Sequence, residues 1–213
     1  MRVSRAQAAE NRQAVINVAS RLFRERGFDG IGLKDLMKGA GLTQGAFYKQ
    51  FESKDDLAAK ASARALEYAF QRWSAAAAAN PEDPLEAVMS VFLSAAHREE
   101  RADGCPLVAL GADAARQGSG VKASFEAGIR THLDMLARFV GDGERAQPTH
   151  KAMVILSLMV GAVTLSRAVN DAALAQSILD AAADQVRAVA AAKDSGTRRS
   201  ESRVKRAVRR SRK

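Results

Sequence analysis

Apolar residues recur along most of this chain at the three- and four-residue spacing of amphipathic helices. The period-two alternation of strands is scarce and alanine is abundant, so the pattern predicts an all-α protein. Val15, Val18, Ala19, Leu22 and Phe23 form the stripe of a first helix from about Ser4 to Arg26. Gly27 ends it, and Phe28 is placed to fold back on Phe23. A second, short helix spans about Leu33 to Ala40, Gly41 makes a turn, and a third runs from Thr43 to Phe51. Ser53, with Asp56 three residues on, reads as the capping box of a fourth helix through Leu57, Leu66, Phe70 and Trp73. The "PEDP" stretch (Pro81 to Pro84) breaks the chain. Further helices are expected at about 84–98, 106–117, 121–140, 148–169 and 171–192, punctuated by glycines and prolines.

Charge changes this picture. Residues 1–60 carry 11 Lys/Arg against 7 Asp/Glu, residues 61–192 carry 12 against 15, and residues 193–213 carry 10 against 2. A mildly acidic body thus lies between a basic head and a very basic tail. Basic segments suit a polyanion partner. The tail has almost no apolar residues and is expected to lack a stable fold. Three segments follow: a head at 1–52, a helical body at 53–192 and the tail at 193–213.

The stretch "GLTQGAFYKQF" (Gly41 to Phe51) gives the head its chemistry. A helix, a sharp glycine turn and a second short helix is the helix-turn-helix layout. Leu36, Ala40, Leu42, Phe47 and Phe51 would hold these two helices against the first. Thr43, Gln44, Gly45, Ala46, Tyr48 and Lys49 are then left facing outward. The small residues Gly45 and Ala46 permit close approach to base edges in a major groove. Gln44 can pair with adenine, and the Ala46 methyl can meet a thymine methyl. Thr43 can cap the short helix and bond phosphate, while Tyr48 and Lys49 suit phosphate contacts. The plainer alternative makes these helices mere core. The glycine turn, the aromatic pair and the cap in register weigh against it.

Taken together, "GFDGIGLKDLMKGAGLTQGAFYKQFESKDDL" resembles the DNA-binding region of tetracycline-repressor-type (TetR) transcriptional regulators. The resemblance is carried by Gly27-Phe28, "LKDLMKGAGL", Phe47-Tyr48, Phe51, Ser53-Lys54 and Leu57, over roughly Ala14 to Leu57. It implies DNA-facing positions at Thr43, Gln44, Gly45, Ala46, Tyr48 and Lys49, with Lys54 at the DNA backbone. It also implies a homodimer on a double-stranded operator, and a small-molecule inducer pocket in each helical body. Inducer binding would tilt the fourth helix, spread the two heads and release the DNA, most often relieving repression. Three positions depart from the family pattern. Ile31-Gly32 stands where paired threonines are common, Met37 where a small residue is usual, and Gln50 where histidine is frequent. They bear on the operator sequence rather than on DNA binding.

The body must supply the dimer and the pocket. Ile155, Met159 and Val163 on one helix, with Leu174 and Ile178 on the next, are expected to form a four-helix interface with a second copy. Pocket candidates are Phe92, Cys105, Phe125, Ile129 and Leu133, with His97 or His132 for polarity. Any apolar helix stripe looks like this, and taken singly each pocket candidate is more often ordinary core.

Cys105, the single cysteine, precedes Pro106 at a predicted helix start, where a thiol can ionise more readily. A cysteine-based redox or electrophile sensor is therefore a second reading, although no basic residue lies beside it in sequence. A third is a non-specific nucleic-acid binder driven by the tail. An enzyme is not expected: three histidines are scattered at 97, 132 and 150, without a metal cluster, P-loop or dinucleotide fingerprint. No cofactor and no metal are expected. The N-terminus lacks a signal-peptide core, and the most apolar run, Ala152 to Leu165, is short of the about 20 residues of a membrane span. These features point to the cytoplasm without membrane association.

Overall fold

The computed structural model describes residues 4–141 and 149–192. The basic tail, 193–213, lies outside the described residues. Among them are nine α-helices and one 3₁₀ helix, with no strand. In chain order they are α1 (Arg5–Arg26), α2 (Leu33–Gly39), the 3₁₀ helix (Gln44–Lys49), α3 (Lys54–Ala79), α4 (Pro84–Phe92), α5 (Ala95–Glu99), α6 (Pro106–Ala114), α7 (Ser119–Phe139), α8 (His150–Ala168) and α9 (Ala172–Ala191).

The head closes as its pattern predicts. Val15, Ala19 and Phe23 of α1 are buried with Leu36, Met37, Phe47 and Phe51. At the end of α1, Gly27 takes φ +76°, its N–H donates to Phe23 O at 2.7 Å, and Phe28 packs on Phe23 with ring centroids 5.2 Å apart. Met37, the bulky departure in α2, is fully buried and fills this core. Gly41 turns the chain at φ +70°. Ser53 Oγ accepts from Asp56 N–H at 3.0 Å to start α3, and Asp56 reaches Glu52 N–H at 3.4 Å, one residue upstream of a strict capping box.

Two elements differ from expectation. The helix expected over 84–98 is two helices, because Ser94 caps a new start: its Oγ accepts from His97 N–H at 3.0 Å. The short helix after Gly41 winds as 3₁₀, with Ala46 N–H on Thr43 O at 3.0 Å and Gln50 N–H on Phe47 O at 2.9 Å. A stretch of only six residues closes few i→i−4 bonds, and such short pieces wind readily as 3₁₀.

The body is built on α3, which runs from the head and packs along α7; α8 pairs with α9. The α3–α7 approach is close at Gly128, where an added Cβ would lie 2.7 Å from a Leu66 methyl. By length and composition α8 is apolar enough to cross a bilayer. Here it packs against α9, α7 and α6, and Ile155, Met159 and Val163 are fully buried.

Candidate functional site

The outward edge of the head is bare in the way the sequence suggests. Thr43, Gln44, Gly45, Tyr48 and Lys49 are exposed and Ala46 is half-buried. A Cβ added at Gly45 would meet nothing within 4 Å. Phe47 points the other way and is fully buried, stacked on Phe51 with ring centroids 5.4 Å apart. Tyr48 sets its ring edge-on to Phe47 at 5.2 Å while remaining 69% exposed. Thr43 occupies the cap position, but its hydroxyl makes no capping hydrogen bond. That leaves the hydroxyl to an outside partner. Lys54 is the first residue of α3 and is half-buried.

Arg12 of α1, which the sequence pattern did not single out, holds the far end of this edge. Its Nε donates to Gln50 O at 3.2 Å and its guanidinium lies 5.1 Å over the Phe51 ring. Both contacts brace the 3₁₀ helix from behind, so its exposed side is presented on a fixed support.

Head and body meet at the segment from His97 to Cys105, gripped by arginines from three helices. Arg24 of α1 is buried; its Nη1 donates to Gly104 O at 2.9 Å, its Nε to Ser20 O at 3.0 Å, and Asp103 lies 3.7 Å away. Arg72 of α3 binds Glu100 at 2.8 Å and Asp103 O at 3.0 Å. Arg167 of α8 donates to His97 O at 2.7 Å, Arg98 O at 2.9 Å and Glu100 O at 2.9 Å. A signal for one of them was present in the sequence: Arg24 occupies a buried register of α1, four residues after Ser20. Arg72 and Arg167 come from far along the chain and carry no such signal.

Cys105 sits within this seam as the cap residue of α6 and is buried. Its N–H donates to His97 Nε2 at 3.0 Å, so His97 Nδ1–H donates to Phe92 O at 2.7 Å and the ring is neutral. Burial pushes the Cys105 thiol up, against the opposing pull of the Val108 and Leu107 N–H groups and of Arg167 and Arg24. The sequence expectation is corrected twice here. Basic residues do flank the thiol, brought in from α1 and α8, and desolvation still outweighs them.

A cavity of about 910 Å³ is an open cleft between α6, α7 and α8. Three of the pocket candidates, Phe125, Ile129 and Leu133, line it. Phe92 and Cys105 do not; they border a small separate void of about 20 Å³ with Trp73 and His97. Phe92 ends α4 and Cys105 caps α6, and both face the α3 side with Trp73. His132 is buried against Trp73 and Phe70 on the α3 side of α7, and its Nε2 has no partner among the described residues. Burial lowers the pKa of both His97 and His132.

The expected dimer residues divide between core and surface of the single chain. Ile155, Met159 and Val163 are wholly enclosed within the single chain, so a second copy cannot reach them. The helical period leaves a different face of α8 accessible: Met153 and Leu165 are exposed, and Val154, Leu158 and Gly161 are half-buried. With the half-buried Ile178 of α9 they flank an apolar groove of about 550 Å³, while Leu174 of α9 is exposed outside its lining. Among the described residues no cluster of His, Cys, Asp and Glu could hold a metal.

Two family models match the chain. Residues 15–61 match the family described as bacterial regulatory proteins of the tetR family. Residues 81–182 match the tetracyclin repressor-like C-terminal domain. The regulator AcrR of Shigella flexneri is 41% identical over 56 residues, a match covering 26% of each chain. The repressor NemR of Escherichia coli K12 is 24% identical over 163 residues, covering 72% of this chain and 82% of NemR. Among solved structures, a TetR regulator from Chloroflexus aurantiacus superposes with TM-score 0.70 at 26% identity, covering 85% of this chain and 94% of that one. Reduced E. coli NemR has the same fold, with TM-score 0.70 at 22% identity over 84% of this chain and 97% of its own. With a braced helix-turn-helix head matching one family model and a helical body matching its companion, the chain belongs to the TetR family of DNA-binding transcriptional regulators.

Proposed function

We propose that this regulator reads its operator with Thr43, Gln44, Gly45 and Ala46 in a major groove, while Tyr48, Lys49 and Lys54 bind phosphate. The reading is carried by the exposed, side-chain-free edge at Gly45, set on a turn that Phe47 and Arg12 hold from behind. Residues 1–52 act as the reader and 53–192 as the effector and dimer body. The protein works as a homodimer joined through the accessible α8–α9 face, and it represses until an inducer enters the α6–α7–α8 cleft.

The coupling runs through α6. Leu107, Gly111 and Ala114 of α6 line the cleft, and Asp113 of the same helix lies against Gly27 at the end of α1. Just before α6, Gly104 O receives Arg24. A ligand that spreads α6 from α7 therefore bears on α1 directly, and on α3 through its long contact with α7. Each shift changes the separation of the paired heads and so their fit to two half-sites. The test is anisotropy on operator DNA with Gln44→Ala and Tyr48→Phe. Loss of sequence preference in the first, and a uniform loss of affinity in the second, support the assignment. Unchanged binding in both overturns it.

A thiol-sensing mechanism is the second reading, favoured by the arginines around Cys105 and opposed by its burial. Native protein is expected to react with iodoacetamide at pH 8 far more slowly than unfolded protein. Rapid stoichiometric labelling of the native fold would favour the sensor instead.

A further inference from the structure

The cleft between α6, α7 and α8 is asymmetric, and its asymmetry specifies a ligand class. Two parallel rows of α7 side chains line it. Phe125, Ile129 and Leu133 recur every four residues and form an apolar wall. Lys122, Glu126 and Arg130 recur at the same interval one residue or so around the helix and form a charged rim. Leu107, Ala114, Leu156 and Val160 close the apolar side from α6 and α8. Within the rim, the Glu126 carboxylate is already engaged: Arg130 donates to its Oε1 from Nη2 at 2.8 Å and from Nε at 3.2 Å. Lys122 takes part in no ion pair among the described residues. The rim therefore presents one uncompensated cation beside an apolar trough of ligand size.

We infer that the effector of this protein is an apolar organic anion, its carbon body along Phe125, Ile129 and Leu133 and its carboxylate, sulfonate or phosphate at Lys122. This rests on the cleft being the inducer site. An anion in that place gains the attraction of Lys122 without displacing an existing pair. A cationic ligand of the same body would meet Lys122 as a like charge, with the Glu126 carboxylate already held by Arg130. A neutral ligand would gain the wall alone.

Two fluorescent probes isolate the charge: anilinonaphthalene sulfonate and the neutral N-phenylnaphthylamine, which share their rings and differ in the sulfonate. They are titrated into the full chain and two variants. Lys122→Glu reverses the rim charge at an exposed position. Gly111→Leu fills the cleft from α6, where an added Cβ meets nothing within 4 Å, so the variant is expected to fold. Wild type is expected to bind the sulfonate more tightly. Lys122→Glu is expected to weaken sulfonate binding about five-fold, less at high salt, while neutral-probe binding stays within about two-fold. Gly111→Leu is expected to weaken both about ten-fold. If Gly111→Leu blocks both probes but Lys122→Glu leaves the sulfonate unchanged, the ligand class is wrong and the cleft still stands as the site. If Gly111→Leu spares both, or neither probe binds wild type, the cleft itself is wrong and the inference falls with it.

Discussion

Replacing Arg24 with Met tests how the reader is tied to the body. The guanidinium is buried between α1 and the segment before α6, where its Nη1 bond to Gly104 O spans 80 positions in sequence. Met keeps much of the stem's packing but removes every donor. Two of the lost bonds, to Ser20 O and Ser20 Oγ, lie within one helix turn. The Ser20 carbonyl remains in the helix ladder, so their loss costs little. Gly104 O is different, because it is buried and loses a charged donor. Asp103 keeps Arg21 at 2.9 Å, so no carboxylate is stranded. Burial lowers the pKa of Arg24, which marks a desolvation cost that Met would recover in part. Losing a charged hydrogen bond with a buried acceptor left behind outweighs that recovery, at about 2–3 kcal/mol net. For a chain of this size the loss corresponds to a fall in Tm of about 4–12 °C. Scanning calorimetry on wild type, Arg24→Met and Ser20→Ala provides the assay. Arg24→Met is expected to melt earlier, with the head separating first as a distinct transition, while Ser20→Ala stays close to wild type. A melt for Arg24→Met within about 1 °C of wild type and equally cooperative would refute this account of the seam.

Three further outcomes follow from the same geometry. Gly45→Leu is expected to leave Tm unchanged or slightly raised, since the side chain enters open space, yet to weaken operator binding by about 30-fold or more as two base contacts of about 1–3 kcal/mol each are held off; native affinity would contradict the placement. Leu165→Glu, on the exposed face of α8, is expected to shift the protein from dimer to monomer by light scattering with its helix content intact, and a persisting dimer would move the interface elsewhere. Acidification should destabilise the fold, because burial holds His132 below its ordinary 6.5: the unfolded chain takes up a proton as pH falls through that value while the native ring does not. Stability from this ring is thus complete above about pH 7 and declines below 6.5, and His132→Phe, which suits the Trp73–Phe70 surroundings, should reduce the acid slope by up to about one proton. An unchanged slope would place the acid sensitivity in other groups.

Much of the head was legible because local rules decide it. Gly27, Gly41 and Ser53 are punctuation whose geometry depends on near neighbours, and Phe47 and Phe51 have one face of a short helix to occupy. The 3₁₀ winding was not legible, since nothing in six residues distinguishes it from a short α-helix. In the body, periodicity identified α8 as apolar but not which side of it turns inward. Ile155, Met159 and Val163 are apolar, and so are Met153, Leu158 and Leu165; only the packing of α7 and α9 separates core from accessible face. The pocket was half legible for a similar reason. Phe125, Ile129 and Leu133 share one helix row, whereas Phe92 ends α4 and Cys105 caps α6, on separate elements whose packing no local pattern fixes. Of the arginine grip on residues 97–105 only Arg24 left a trace, in its register on α1; Arg72 and Arg167 join it from positions 48 and 143 residues further along the chain.

The central claim is that this chain reads DNA sequence through the 3₁₀ helix of a paired head. The most direct test is selection of the full chain on random double-stranded DNA, followed by anisotropy on the enriched site and a scrambled copy across a salt series. The account predicts an enriched site of two symmetry-related halves, bound about 10³-fold or more above scrambled DNA. It also predicts that the preference survives removal of residues 193–213. No enrichment, with equal binding to both DNAs that disappears with those residues, would contradict it.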